Sequence, residues 1–140
     1  MKTDEELGQV LIAHNLKQTQ KRRDVLALFY TYDYALSSKM IEQNFTSFDR
    51  VTLYRLLNSF EEQGLIHKVV NDQGEVFYAK CSSCEDATHY DNHIHFHCKS
   101  CKKIYCLEDV NPSSIKIPTG FTTQTVHLDV YGVCKSCSEN

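Results

Sequence analysis

Residues 1–80 contain no cysteine. The chain also lacks any apolar run near the ~18 residues that a membrane-spanning helix needs. The opening Met1-Lys2-Thr3-Asp4-Glu5-Glu6 has no apolar h-region, so no secretory signal is expected, and a cytoplasmic protein with reduced thiols is. There is no excess of positive charge: the formal net charge is −3 and the pI about 6.1. That disfavours a nonspecific polybasic nucleic-acid binder but leaves room for a DNA reader whose positive charge is local. Low-complexity segments are missing too. What is present is 140 residues, 41% hydrophobic and 24% charged, enough to bury a core in one ordinary domain or two small ones.

All seven cysteines fall late, at Cys81, Cys84, Cys98, Cys101, Cys106, Cys134 and Cys137, with five of the seven histidines (His89, His93, His95, His97 and His127). In a reducing compartment such a set reads as metal ligands before disulfides. The compositional break predicts a metal-free domain over 1–80, a polar hinge over 81–92 and a metal-bearing domain over 93–140.

The first 80 residues read as helices followed by a hairpin. Thr3-x-x-Glu6 is a capping-box pattern ahead of Leu7, Val10 and Leu11. Thr19 and Ser37 are placed to cap a second and a third helix. A fourth helix is expected from Phe48 to about Gln63, with Leu53, Leu56, Leu57 and Phe60 at helical spacing and Gly64 as its left-handed stop. Two β-rich runs, 65–70 and 75–78, flank the turn sequence Asn71-Asp72-Gln73-Gly74. Helices followed by such a wing describe a winged helix-turn-helix. The remainder reads as strands at 93–98, 103–108 and 122–131, with a brief helix over 111–116. Strict alternation puts His93, His95 and His97 on one strand face, with Ile94 and Phe96 on the other. The fold class is therefore α+β: an N-terminal winged helix-turn-helix domain and a small C-terminal α/β domain with a Cys₄ zinc site.

Cys-x-x-Cys turns bring two thiolates to one metal, and two such turns complete a tetrahedral zinc site. Three are present, so spacing alone leaves a tie. Cys81/Cys84 with Cys98/Cys101 has zinc-ribbon spacing, whereas Cys98/Cys101 with Cys134/Cys137 ties distant chain segments together.

Five segments carry a resemblance that extends over nearly the whole chain. Leu16-Lys17-Gln18-Thr19-x-x-Arg22, Val51-Thr52-Leu53-Tyr54-Arg55-x-Leu57 and Glu61-Glu62-Gln63-Gly64-Leu65 lie in the first domain. His93-x-His95-x-x-Cys98-x-x-Cys101-Lys102-Lys103 and Tyr131-Gly132-Val133-Cys134-x-x-Cys137 lie in the second. In this order they resemble the ferric-uptake-regulator family of metal-dependent repressors, which includes zinc and peroxide sensors. The resemblance implies structural zinc, one per chain, on Cys98, Cys101, Cys134 and Cys137. It also implies a homodimer through the C-terminal sheet and repression when a second, regulatory divalent metal binds; the lack of a long apolar run leaves no membrane partner expected.

The family's regulatory ligands map unevenly. Two match His93 and His95. A histidine expected in the DNA-binding domain falls on Ala35, a carboxylate after the wing near Tyr78, an acidic residue on Cys106, and a last-strand histidine on Val126, with His127 one place later. Cys81, Cys84, His93, His95 and Cys106 are the candidate regulatory ligands, with Asp86 and Glu108 as further possible donors. Sulfur in place of oxygen favours zinc over iron. Iron or peroxide sensing is the alternative within the family, and a zinc-stapled adaptor or a zinc enzyme lies outside it.

Residues 1–80 hold ten basic and eleven acidic side chains, so DNA contact must come from local clusters. Lys17, Lys21, Arg22 and Arg23 form one, and Arg50, Thr52, Tyr54 and Arg55 on the fourth helix form another. By the resemblance, Tyr54 and Arg55 face the DNA and Lys17 approaches the minor groove. A two-fold dimer then selects double-stranded operators with inverted repeats.

Overall fold

A computed structural model describes residues 2–80, 94–107, 115–123 and 128–139. The chain divides into two units, Met1–His89 and Tyr90–Asn140.

In the first unit, side-chain caps set the helix starts. Helix α1 (Asp4–Ala13) begins where the Thr3 hydroxyl accepts from the Glu6 N–H. Helix α2 (Gln20–Thr31) begins where Thr19 accepts from the Arg22 N–H. Strand β1 (Leu36–Ser37) runs into helix α3 (Ser38–Asn44), whose cap is Ser37 accepting from Met40. Each cap satisfies one of the amides that a helix start leaves unpaired. Helix α4 spans Arg50–Glu62. It starts two residues later than the pattern predicts, because Phe48 is held in a turn against Phe45, their ring centroids 5.0 Å apart. Gly64 ends it at φ 76°, with the Leu65 N–H returning to the Phe60 carbonyl at 2.9 Å. Asn15 (φ 60°) ends α1 the same way, with the Leu16 N–H on Leu11. The left-handed residue that lets the chain turn back falls on Gly or Asn, the types that tolerate it.

Strands β2 (His67–Val70) and β3 (Val76–Ala79) form the wing, and β1 joins them in the order β1-β3-β2. The Asn71 side chain shapes the turn by accepting from the Gln73 and Glu75 amides at 3.0 and 2.8 Å. Leu53, Leu57 and Phe60 of α4 are buried with Leu11, Val25, Leu26, Phe29 and Ile41 in one core. That burial fixes which face of α4 is left outward.

In the second unit, β4 (Ile94–Cys98) pairs antiparallel with β5 (Ile104–Leu107) and parallel with β6 (Leu128–Gly132), in the order β5-β4-β6. A short helix α5 (Lys135–Ser138) follows. Of the strand predicted over 122–131, residues 124–127 lie outside the described set, residues 122 and 123 are not in a strand, and the described part pairs with β4 from Leu128↔Ile94 to Cys98↔Gly132. Of the helix expected over 111–116, residues 111–114 lie outside the described set. Ile115 and Lys116 are not helical, as suits the approach to Pro118. Among the described residues no helix is long and apolar enough to cross a membrane.

Candidate functional site

Cys98 closes β4, Cys101 follows in the next turn, and Cys134 caps α5, which carries Cys137. Their four sulfurs all lie within 4.8 Å of one another. Sγ of Cys101 and Sγ of Cys134 are 3.8 Å apart. A tetrahedron with metal–sulfur bonds of about 2.3 Å has edges of about 3.8 Å, so the cluster fits zinc. Backbone amides support the sulfurs: those of Cys101 and Cys134 donate to Cys98 Sγ at 3.4 and 3.3 Å. These two contacts hold the Cys98 thiol down at about 6, and the Cys137 amide lowers Cys134. The Ser100 hydroxyl favours the Cys137 thiolate. Hydrogen bonding to Cys134 and burial outweigh it and push that thiol up to about 11. The set thus forms thiolate readily at one corner and resists a further negative charge at another, which is the imbalance a divalent cation removes. Cys81 and Cys84 lie outside the described residues.

The turn between Cys101 and β5 places Lys102 at φ 66°. A side chain strains the backbone in this conformation, which glycine adopts freely. Lys102→Gly is therefore expected to raise the stability of the zinc-loaded protein by about 0.5–1 kcal/mol. A thermal melt checks this, and an unchanged or lower midpoint would count against the strain.

Beside the cysteines, β4 carries His95 and His97, both buried. His95 lies directly across from Cys106 on β5 and is paired with Asp129 on β6. Asp129 Oδ1 is 2.7 Å from His97 Nε2 and 4.0 Å from His95 Nδ1. The His97 ring stacks on Tyr131 with centroids 4.5 Å apart. Sequence reasoning missed Asp129; its only signal was a carboxylate at the polar position of an alternating strand. His93, Glu108, Val126 and His127 lie outside the described residues, as does Asp86. Ala35 and Tyr78, where relatives would carry ligands, are both buried. Neither side chain is a ligand of the expected kind.

On the first unit, α4 turns Arg50, Val51 and Arg55 outward, with Thr52 and Tyr54 half-buried. The Tyr54 hydroxyl donates to Glu42 Oε1 on α3 at 2.7 Å, and Arg50 Nε lies 3.5 Å from the same oxygen. Thr52 Oγ1 is 3.5 Å from Asp49 Oδ2. Lys17 is exposed, and its carbonyl accepts from Arg22 Nη1 at 3.2 Å. Arg22 therefore braces the α1–α2 connection. Lys21 Nζ sits 5.3 Å from the Phe48 ring centre. The basic groups of α2 thus border the start of α4.

The family model described as "Ferric uptake regulator family" matches residues 13–131. A ferric uptake regulation protein of Staphylococcus epidermidis is 32% identical over 142 residues, covering 94% of each chain. One from Staphylococcus aureus is 29% identical over 138 residues, covering 94% of this chain and 95% of its own. Among solved structures, a zinc uptake regulator complexed with zinc and DNA superposes with a TM-score of 0.67 at 25% identity, over 99% of this chain and 97% of its own. Holo XcZur superposes with a TM-score of 0.71 at 22% identity, over 99% of this chain and all of its own. The match over 13–131, joined to a winged helix and a gathered Cys₄ cluster, makes this chain a member of the ferric-uptake-regulator family of metal-responsive, DNA-binding transcription regulators, which are not enzymes.

Proposed function

We propose that the protein is a zinc-responsive repressor of metal-homeostasis genes, acting in the cytoplasm as a homodimer on inverted-repeat DNA. Residues 1–80 form the DNA-binding domain, 81–92 the hinge and 93–140 the dimerisation domain. Lys17, Arg22, Arg50, Thr52, Tyr54 and Arg55 supply the DNA contacts, where phosphate contacts position the domain and base contacts select sequence. Cys98, Cys101, Cys134 and Cys137 hold a structural zinc that ties the end of β4 to the start of α5. The second metal draws its ligands from Cys81, Cys84, His93, His95 and Cys106.

One observation carries the choice of zinc: Cys106 stands directly across the β4–β5 ladder from His95. A thiolate beside an imidazole suits tetrahedral zinc, whereas carboxylate and imidazole suit iron or manganese at higher coordination. Iron is the second reading, favoured by the staphylococcal relatives that are named for ferric uptake. The test keeps the structural zinc in place and adds zinc, iron(II) or manganese(II) one at a time to anaerobic protein. Zinc is expected to bind far more tightly than iron(II) and to switch on DNA binding. Cys106→Ser and His95→Ala are each expected to weaken that switch while the dimer persists. Activation by iron(II), with zinc acting only in large excess, would establish the iron reading, and a Cys106→Ser variant that responds like the parent would overturn the zinc assignment.

A further inference from the structure

Glu42 is an acidic side chain among the groups assigned to DNA contact, and nothing above gives it a role. It lies on α3, and its side chain keeps 30% of its exposure. A single oxygen, Oε1, accepts the Tyr54 hydroxyl at 2.7 Å and faces Arg50 Nε at 3.5 Å. The bond to Glu42 is the first cause of the raised Tyr54 pKa, so the phenol stays a donor to this carboxylate. Arg50 opens α4, where the helix dipole already presents positive charge and disfavours a cation. Glu42 offsets that cost.

The contacts give Glu42 two separable effects on DNA. Its negative charge competes with phosphates for Arg50 and repels the backbone of any duplex, whatever the sequence. Its oxygen fixes the tilt of the Tyr54 ring, which matters only where that ring meets a particular base edge or thymine methyl. We propose that Glu42 is a specificity-determining positioning residue: it withholds Arg50 from indiscriminate phosphate contact and anchors Tyr54 for base contact. This rests on the reading that α4 faces the DNA.

Regulators of this kind need such a device. Function depends on the ratio of specific to nonspecific affinity, because competing sites vastly outnumber operators. A bare arginine raises both affinities. A carboxylate that restrains it lowers both, and by ordering a neighbouring reader it raises the ratio between them.

Gln and Ala separate the two effects. Glu42→Gln removes the charge but keeps an oxygen that accepts from Tyr54; Glu42→Ala removes both. Tyr54→Phe removes the anchor and leaves the carboxylate. The probes are a duplex enriched from a random pool by the zinc-loaded parent dimer, and an unenriched random duplex of equal length. Each is titrated against full-length, zinc-loaded protein over a range of salt. Glu42→Gln is expected to tighten binding to both duplexes by a few fold at low salt. The slope of log affinity on log salt should steepen by about one, as for one further phosphate contact. Its specificity ratio stays close to the parent's. Glu42→Ala shows the same steeper slope, but its ratio falls about tenfold. Tyr54→Phe lowers the ratio and leaves the slope on the random duplex alone. Melting curves keep loss of fold separate from these effects. An unchanged ratio in Glu42→Ala, or an unchanged slope in Glu42→Gln, overturns the proposal and leaves the DNA reading of α4 standing. A parent that enriches no duplex overturns both.

Discussion

Cys98→Ser is expected to give a monomeric or insoluble protein carrying about one zinc fewer per chain. Cys98 is the sulfur that receives two backbone amides, from Cys101 and Cys134. Serine is a poor zinc ligand and leaves the other three thiols without a fourth partner. The metal contribution to a structural zinc site is of order 10 kcal/mol, more than a domain of this size holds in reserve. Among the described residues of the second unit only Ile94, Ile104, Cys98 and Cys134 are buried apolar side chains, and Val130, Tyr131 and Val133 are exposed. Metal analysis with size-exclusion chromatography reads the outcome. The same change at Cys81 or Cys84 should leave the dimer intact. A stable, dimeric Cys98→Ser variant with unchanged zinc would count against this site, and collapse on losing Cys81 or Cys84 would transfer it to the zinc-ribbon pairing.

Arg55→Ala is expected to remove operator binding while the fold persists. Arg55 is exposed on the outward face of α4, between the buried Leu53 and Leu56, so its loss opens no cavity. The salt dependence distinguishes its role. A phosphate contact gives even weakening across sequences and a slope shallower by about one. A base contact gives lost discrimination at one position, worth about 1–3 kcal/mol. Filter binding or fluorescence anisotropy on metal-loaded protein measures both. An Arg55→Ala dimer that binds the enriched duplex as the parent does would remove this residue from the interface.

The features legible in the sequence were the local ones. Thr3, Thr19 and Ser37 announce helices because a cap acts within three residues, and Gly64 announces a stop because only a left-handed residue fits there. Strand β1 was missed: two residues carry no period. The parallel pairing of β4 with β6 was equally hidden, since it joins segments whose registers meet only in space. The cysteines show the same divide. A Cys-x-x-Cys spacing encodes the geometry inside one turn, and says nothing about which turn it meets. The family resemblance implies one pairing, and the structure gathers its four sulfurs, with Cys101 and Cys134 3.8 Å apart. Asp129 and Glu42 escaped notice for another reason. A lone acidic residue normally reads as solvated surface, and only a neighbour such as His97, Tyr54 or Arg50 gives it a role.

The parallel β4–β6 ladder has a kinetic consequence. Antiparallel neighbours such as β4 and β5 are joined by a tight connection and assemble quickly. A parallel partner requires a long stretch of chain to close first, and that closure entropy is lost before the contacts form. Ile94 must find Leu128, and Cys98 must find Gly132. The cysteine cluster sits at one end of this ladder, where Cys98 closes β4 and Cys134 follows β6. A metal ion captured there would clasp this non-local pairing, holding the two ends together while the strands pair back toward Ile94. Zinc supply would then govern how fast the second unit matures as well as how long it lasts.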